Sequence, residues 1–442
     1  MNQHCGSLSE AGSVIMRLGR ALAMAAWITG FGLMPVVCGA AEGPGRHSDS
    51  LPAVQRIGDV QRGPDGRIIP RDPSQPHENW LGKGRTIRVG PKRRIRLPSE
   101  AARIARDDDI VEIDAGVYKG DVAVWRQNDL TLRGMGGRAH LEAAGKAAED
   151  KAIWVIKSRR VVVENIEFSG ASVHDRNGAG IKFEGVSLTV RGCYFHDNQD
   201  GLLTRASDDG EVTVERSEFA RNGDGDGYSH NMYIGPIRRF TLRFSYSHEA
   251  HIGHEVKSRA RENYILYNRL ADGADGDASY VIDLSQGGTA YIVGNIIQKG
   301  RRAENAVAVS LAAEGPKYPS KGFYVVNNTF INERAGGTFV RNRDPAAVAT
   351  LINNLVVGTE KALEGPGTTA HDLISAGGGF RNSAQRDYHL AAGSPAIGAG
   401  VRPPTVNGFD LMPDAEYADP LSSIVRNNGS RVDVGAYAFS RH

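Results

Sequence analysis

The sequence predicts an all-β chain folded as a single-stranded parallel β-helix, and three observations predict it. The first is a repeat. Between Val161 and Val356 a six-residue pattern recurs: apolar, any, Asn or Gly or another residue, any, any, apolar. It reads Val163-Glu164-Asn165-Ile166-Glu167-Phe168, then Val190-Arg191-Gly192-Cys193-Tyr194-Phe195, then Val214-Glu215-Arg216-Ser217-Glu218-Phe219. Its third positions fall at 165, 192, 216, 244, 267, 294, 327 and 353, with gaps of 27, 24, 28, 23, 27, 33 and 26 residues. A period of about 20–50 residues marks a repeat architecture.

The second observation is the content of each copy. Val, Ile, Phe and Tyr alternate with polar residues, as in strands with one buried face. Asn, Gly and Asp fill the gaps, as turns require. No copy carries an amphipathic helix, which excludes leucine-rich, ankyrin and TPR solenoids. Blades of a propeller would repeat at ~40 residues or more. Three short strands and three turns per coil fit the observed gaps, with strands of successive coils ~4.8 Å apart. The third observation is the pairs Asn327-Asn328 and Asn353-Asn354, which suit a stacked asparagine ladder at one corner.

In chain order, Arg17 and Arg20 precede an apolar run from Ala21 to Val37, followed by Cys38-Gly39-Ala40-Ala41. Residues 1–41 are therefore expected to be a signal peptide, and the mature protein secreted or periplasmic. At 17 residues, with Gly30, Gly32 and Pro35 inside it, the run is short for a membrane span. No later stretch is long enough to cross a bilayer. Residues 42–80, rich in Pro, Gly and charge, are expected to form a linker or N-terminal arm. Ser99 to Arg106 predicts a short capping helix with Ser99 as its N-cap. Residues 81–360 are expected to form the β-helix and 361–442 its closing segment.

The end segments carry a resemblance. A helix followed by DDDIVEIDAGVY (107–118) resembles the opening of pectate-lyase-like β-helix proteins, in which the helix plugs the first coil. DLTLRGMGG (129–137) resembles their first full coil, and DYHLAAGSPAIGAG (387–400) with VDVGAYAF (432–439) their closing segment. The resemblance covers about residues 81–440 and implies a right-handed helix. It speaks for fold and says little about function.

Composition narrows the partners. The formal net charge is +2, and loss of Arg17, Arg20 and Glu10 with the leader makes it +1. That balance gives no argument for nucleic acid. Of three cysteines, Cys5 and Cys38 lie in the leader, so Cys193 stands alone and no disulfide framework exists. A chain this long can be stabilised by its stacked core, and a monomer is expected.

Two neighbouring segments are unusually polar: Tyr228 to Gly235 and Ile252 to Arg259, offset by 24 residues. With Met232 and Val256 as core positions, alternation predicts Asn231 and Tyr233 outward on one coil, and Glu255, Lys257 and Arg259 outward on the next. Asn231 then stacks on Glu255, Tyr233 on Lys257, and His230 on His254. Another 24 residues would bring Arg259 beside Asp283. This combination suits proton abstraction next to the carboxylate of a uronic acid, which needs a base, a neutralised carboxylate and a proton donor. Lys257 is the candidate base, with the Arg259 cation beside it. Asn231 and Glu255 are oxygen ligands that could share a Ca²⁺. Tyr233, His230 or His254 would protonate the leaving oxygen.

Glu255-Val256-Lys257-Ser258 with Asn263-Tyr264-Ile265-Leu266-Tyr267-Asn268 is similar to the Lys-Ser…Asn-x-Ile-x-x-Asn segment of the chondroitinase B and alginate lyase family. The resemblance implies a lysine base at Lys257, Ca²⁺ held by Asn and Glu of adjacent coils, and an arginine acid one coil later. That arginine's place falls near Asp283, in YVIDLSQGG (280–288), a departure from the family pattern. The expected function is cleavage of an acidic polysaccharide by β-elimination. C5-epimerisation, glycoside hydrolysis by Asp224, Asp226 and Glu255, and a non-catalytic role in polysaccharide binding or as an export accessory are the alternatives. Tyr228, Tyr233, Tyr246 and Tyr264 are candidate sugar-stacking platforms.

Overall fold

In the computed structural model the described residues are 84–440, together with the strands Gln61–Arg62 and Ile68–Ile69. The signal peptide expected at 1–41, and nearly all of the arm expected at 42–80, lie outside them. Among the described residues, parallel strands stack into a solenoid. One sheet takes a single strand from each of ten coils, from Ala123–Trp125 to Leu363–Glu364. A second sheet takes the other two strands of each coil, such as Arg160–Glu164 with Ile166–Ser169.

The repeat has a single physical cause. Between the two strands of the second sheet the chain turns through one left-handed residue. These residues are Asn165, Gly192, Arg216, Phe244, Tyr267, Gly294, Asn327 and Asn353, with φ between +45° and +67°. They are the eight third positions of the sequence pattern. Only Gly294 needs to be glycine for space as well, because a Cβ there would lie 2.5 Å from the Tyr267 ring. The residue after each corner points inward and stacks. Ser217, Ser245, Asn268, Asn295, Asn328 and Asn354 form a continuous ladder, each accepting from the backbone N–H of the coil before at 2.9–3.2 Å. It ends at Asp372, which accepts from Asn354.

Apolar stacks fill the rest of the interior. Phe168, Phe195 and Phe219 lie face to face at 5.0 and 4.6 Å, and Trp125 packs edge-on against Trp154. Such pairs add about 0.5–1.5 kcal/mol each beyond burial. Cys193, just after the Gly192 corner, holds the ladder place of its coil as a free, fully buried thiol whose pKa burial pushes up to about 12.

The short helix forms at Pro98–Ile104 and buries Ala101 and Ala102. Ser99 is not its N-cap. Leu97 holds that position and Pro98 opens the first turn, while the Ser99 N–H donates to Asp121 at 3.0 Å. Parallel pairing runs past residue 360, to Leu373–Ser375 on Leu355–Val357. The antiparallel pairs Phe380–Asn382 with Asp387–Leu390, Thr405–Val406 with Phe409–Asp410, and Ala415–Ala418 with Ser422–Val425 follow. This closing segment packs back on the coils, with Phe409 against Tyr264 and Tyr291. No described helix is long and apolar enough to cross a membrane.

Candidate active-site cleft

On the ten-stranded sheet, register places Lys182, Leu203, Tyr233, Lys257 and Asp283 in one outward row, on five successive coils. Tyr233 stacks on Lys257 as the sequence predicts. Asp283 aligns with Lys257 and not with Arg259, because this coil step is 26 residues and not 24 (283 − 257 = 26).

A cleft of about 390 Å³ opens over this row, lined by Lys182, Asp200, Leu203, Tyr228, Tyr233 and Arg259. Arg259 donates to the Tyr233 hydroxyl and grips Glu314 with two N–H groups, Nε at 2.9 Å and Nη2 at 2.6 Å. Lys257 Nζ lies 3.0 Å from the same Glu314 carboxylate and 3.9 Å from Asp283 Oδ2. Two cations hold the Glu314 carboxyl down at about pKa 2, against the opposing effect of burial. Lys257 and Arg259 thus form a fork of two cations around one carboxylate of the chain itself, with Tyr233 as its aromatic wall: the Arg259 guanidinium stands 5.0 Å over the ring.

Two groups that the sequence reading did not single out join it. Lys182 lines the cleft with its amine pKa lowered by burial, against the opposing pull of Glu184 and Asp200. Asp200 is buried; its Oδ1 accepts the His230 N–H at 2.8 Å, while Oδ2 has no hydrogen-bond partner. Burial raises its pKa well above the carboxylate range. Unequal coil steps hid Lys182, 21 residues before Leu203 and 51 before Tyr233 (203 − 182 = 21; 233 − 182 = 51). Glu314 arrives from a turn 55 residues beyond Arg259, a distance no local pattern reveals.

Four predicted residues are placed differently from the expectation. Asn231 and Glu255 face the interior and are fully buried. The reason is a ladder at a second corner. Asn198 stacks on Asn222 at 2.9 Å, and the next corner place is held by Ala250, which has no side-chain amide to offer. Asn231 fills the gap: its Oδ1 accepts from Asn222, and its Nδ2 donates to Glu255 Oε2 at 2.6 Å. Glu255 also accepts from Ser247 Oγ and the Ala250 N–H. Burial and neighbouring Asp272 raise its pKa to about 8. These oxygens are already taken by protein donors away from the cleft, so the pair does not fit a Ca²⁺ and no step is derived through one.

His230 and His254 do stack as predicted, at 4.5 Å, but inside the wall. His230 Nδ1 accepts the His254 N–H, and His254 Nδ1 accepts the Tyr280 N–H. Burial first, then nearby cations, drives His254 down to about 3 and His230 well below its usual value. Neither is an imidazolium at neutral pH, so neither can supply a proton in that form. They support Tyr233, whose ring meets His230 edge-on at 5.3 Å. Among the tyrosine platforms, Tyr264 is buried under the closing segment and Tyr246 stacks on His248. Tyr228 and Tyr233 remain at the cleft.

The family description "Right handed beta helix region" matches residues 145–310. No curated protein matched the sequence. Pectate lyase Pel9A superposes with a TM-score of 0.56 at 15% identity, over 81% of this chain and 98% of that one. The GH136 lacto-N-biosidase of Eubacterium ramulus gives 0.43 at 11% identity, over 66% of this chain and 68% of that one. The A-module of the mannuronan C-5 epimerase AlgE6 of Azotobacter vinelandii gives 0.38 at 15% identity, over 66% of this chain and 89% of that one. The last two scores carry no argument, and the first speaks for fold alone. The likeness of 255–268 to chondroitinase B and alginate lyases stands on those residues only. The chain is a right-handed parallel β-helix of pectate-lyase-like fold.

Proposed function

We propose that this is an exported enzyme whose cleft binds an acidic, uronate-containing polysaccharide and cleaves it by β-elimination. The observation that carries the reading is the Lys257–Arg259 fork, which already grips a carboxylate, that of Glu314, in bidentate fashion. A substrate uronate that displaces Glu314 would have its carboxylate charge neutralised there. That makes the C5 proton more acidic and stabilises the charge that develops in the transition state.

The base must be an amine or carboxylate without a proton. Lys257 is committed to Glu314, so it serves better as part of the fork. Lys182 fits the base: burial favours its neutral form, against the pull of Glu184 and Asp200, and among the described residues no carboxylate forms an ion pair with it. Lys182 takes the C5 proton, the C–H electrons form the C4–C5 double bond, and the C4–O bond breaks. Tyr233 accepts a hydrogen bond from Arg259, leaving its own O–H proton for the departing oxygen. Tyr228, largely exposed at the rim, offers a stacking surface for a neighbouring sugar.

The test is to incubate the full mature chain with a panel of uronate polymers and follow the ultraviolet absorbance of the C4–C5 double bond. Absorbance should rise, and Lys182→Ala should lower the rate by ~10²-fold or more. The rate should climb with pH and level off below the pH of an ordinary lysine, because only the neutral amine acts. Hydrogen exchange at C5 in D₂O without absorbance would replace elimination by epimerisation. Binding with neither signal and with unchanged polymer length would overturn an enzymatic role.

A further inference from the structure

On the second sheet, away from the outward row of the cleft, His140, Glu167 and His196 come together from three successive coils. His140 pairs in register with Glu167, and His196 lies one coil further, opposite Ser169. One ligand atom of each residue lies within 4.8 Å of the others. Glu167 Oε1 is 3.1 Å from His196 Nε2 and 3.5 Å from His140 Nδ1. All three side chains are partly exposed, at 24%, 23% and 15% in chain order.

The outer nitrogens decide what the inner ones present. His196 Nδ1 meets Asp197 Oδ2 at 2.6 Å, and a carboxylate can only accept, so this nitrogen carries the proton. His196 Nε2 faces Glu167 Oε1 at 3.1 Å, within hydrogen-bond reach, so a metal ion would displace the proton that these two atoms share. His140 Nε2 meets the Ser169 hydroxyl at 2.7 Å, which leaves Nδ1 as the lone pair facing the same oxygen when Nε2–H donates. Two imidazole nitrogens and a carboxylate oxygen thus converge on one point. Ligating histidines are oriented by this kind of outer partner, a carboxylate or hydroxyl on the far nitrogen.

We infer that His140, Glu167 and His196 form a binding site for a divalent first-row transition metal ion of the Zn²⁺ type, open to solvent at its remaining position. Two ligands at ~2.1 Å from such an ion and a tetrahedral angle apart are about 3.4 Å from each other. The separations of 3.1 and 3.5 Å bracket that value. Imidazole nitrogens favour Zn²⁺, Co²⁺ or Ni²⁺ over Ca²⁺. The chain also supplies its own control. Two coils on, His248 faces Glu218 at 3.3 Å and Glu249 at 3.1 Å, a copy of the His196 arrangement. There the place of His140 is taken by Tyr194, and the third ligand is missing.

The experiment titrates Co²⁺ into the untagged, chelator-stripped full chain, follows visible d–d absorption, and then displaces Co²⁺ with Zn²⁺. One equivalent should bind. His140→Ala and His196→Ala should each weaken binding by ~100-fold or more. Asp197→Asn should weaken it by ~10-fold through orientation alone. His248→Ala should change nothing. Glu167→Gln, which keeps the side-chain shape, guards against loss of fold, with the far-ultraviolet spectrum as check. Absence of the band, or a band that survives both histidine changes, would overturn the site. So would Glu167 and His196 shown by NMR to be only an imidazolium–carboxylate pair that Zn²⁺ leaves untouched.

Discussion

Two polar columns climb the same coils of this solenoid, and they obey opposite rules. The inner one, Asn198, Asn222, Asn231 and Glu255, is buried, and its amides are paired rung to rung. The outer one, Lys182, Tyr233, Lys257 and Asp283, carries surplus chemistry. It holds an amine made easier to deprotonate, a carboxylate receptor, and Asp283, whose Oδ1 has no partner and whose pKa burial lifts to about 6. A buried polar group left unpaired costs about 1–3 kcal/mol, so an inner column must be complete to be kept. The outer column borders the cleft through Lys182 and Tyr233, and there it can leave groups for a ligand, whereas Asp283 is itself buried. Polarity alone does not mark a site; unspent polarity at a surface does.

The contrast is broken most sharply by one substitution in each column. Lys182→Ala should abolish nearly all turnover, ~10²-fold or more, with the melting temperature almost unchanged, since the lost amine makes no structural bond. Asn231→Ala should do the reverse. It strips Glu255 and the Asn222 N–H of partners, which costs about 2–3 kcal/mol, and thermal melting would show it. Comparable stability loss in both variants would make the two columns one structural system and remove the case for a site.

A smaller effect tests the end of the ladder. Glu255 replaces an amide with a carboxyl, and its pKa is about 8 in the folded chain against 4.5 unperturbed. A folded pKa raised above the unfolded one means stability fully present below about pH 4.5 and lost as pH rises through 8. Glu255→Gln should flatten that decline; the slope with pH is the test, because the new N–H₂ also faces donors that the carboxyl now accepts from. Denaturant unfolding from pH 4 to 9 reads it; parallel wild-type and variant curves would show that Glu255 is ionised at neutral pH after all.

These columns also show what a sequence can disclose. The eight corner residues were legible because a left-handed corner recurs once per coil and forces a similar local pattern each time. Tyr233 on Lys257 was legible because both lie mid-strand, where alternation holds. Asn231 and Glu255 were misjudged because each sits just before its strand, Met232–Ile234 and Val256–Ser258, where alternation has no authority and the needs of the corner prevail. Lys182 was lost to unequal coil lengths, and Glu314 to a long turn. In a solenoid the rows are regular in space and irregular in number.

Glu314 gives the smallest and most discriminating effect. Its carboxylate occupies the fork that a uronate is proposed to enter, so protein and substrate compete for the same cations. Its side chain is about one-third exposed, at 33%, and a pair so placed is worth no more than ~1 kcal/mol. Glu314→Gln should therefore tighten binding of an oligouronate by up to ~5-fold, read by calorimetry, and make that binding more salt-sensitive as two unpaired cations meet the ligand. A neutral oligosaccharide should bind the variant no better than the wild type. If Glu314→Gln instead weakens oligouronate binding while leaving the fold intact, Glu314 positions the fork and does not rival the ligand. The receptor would then consist of Arg259, Lys257 and Glu314 together, presenting one net positive charge to the substrate in place of two.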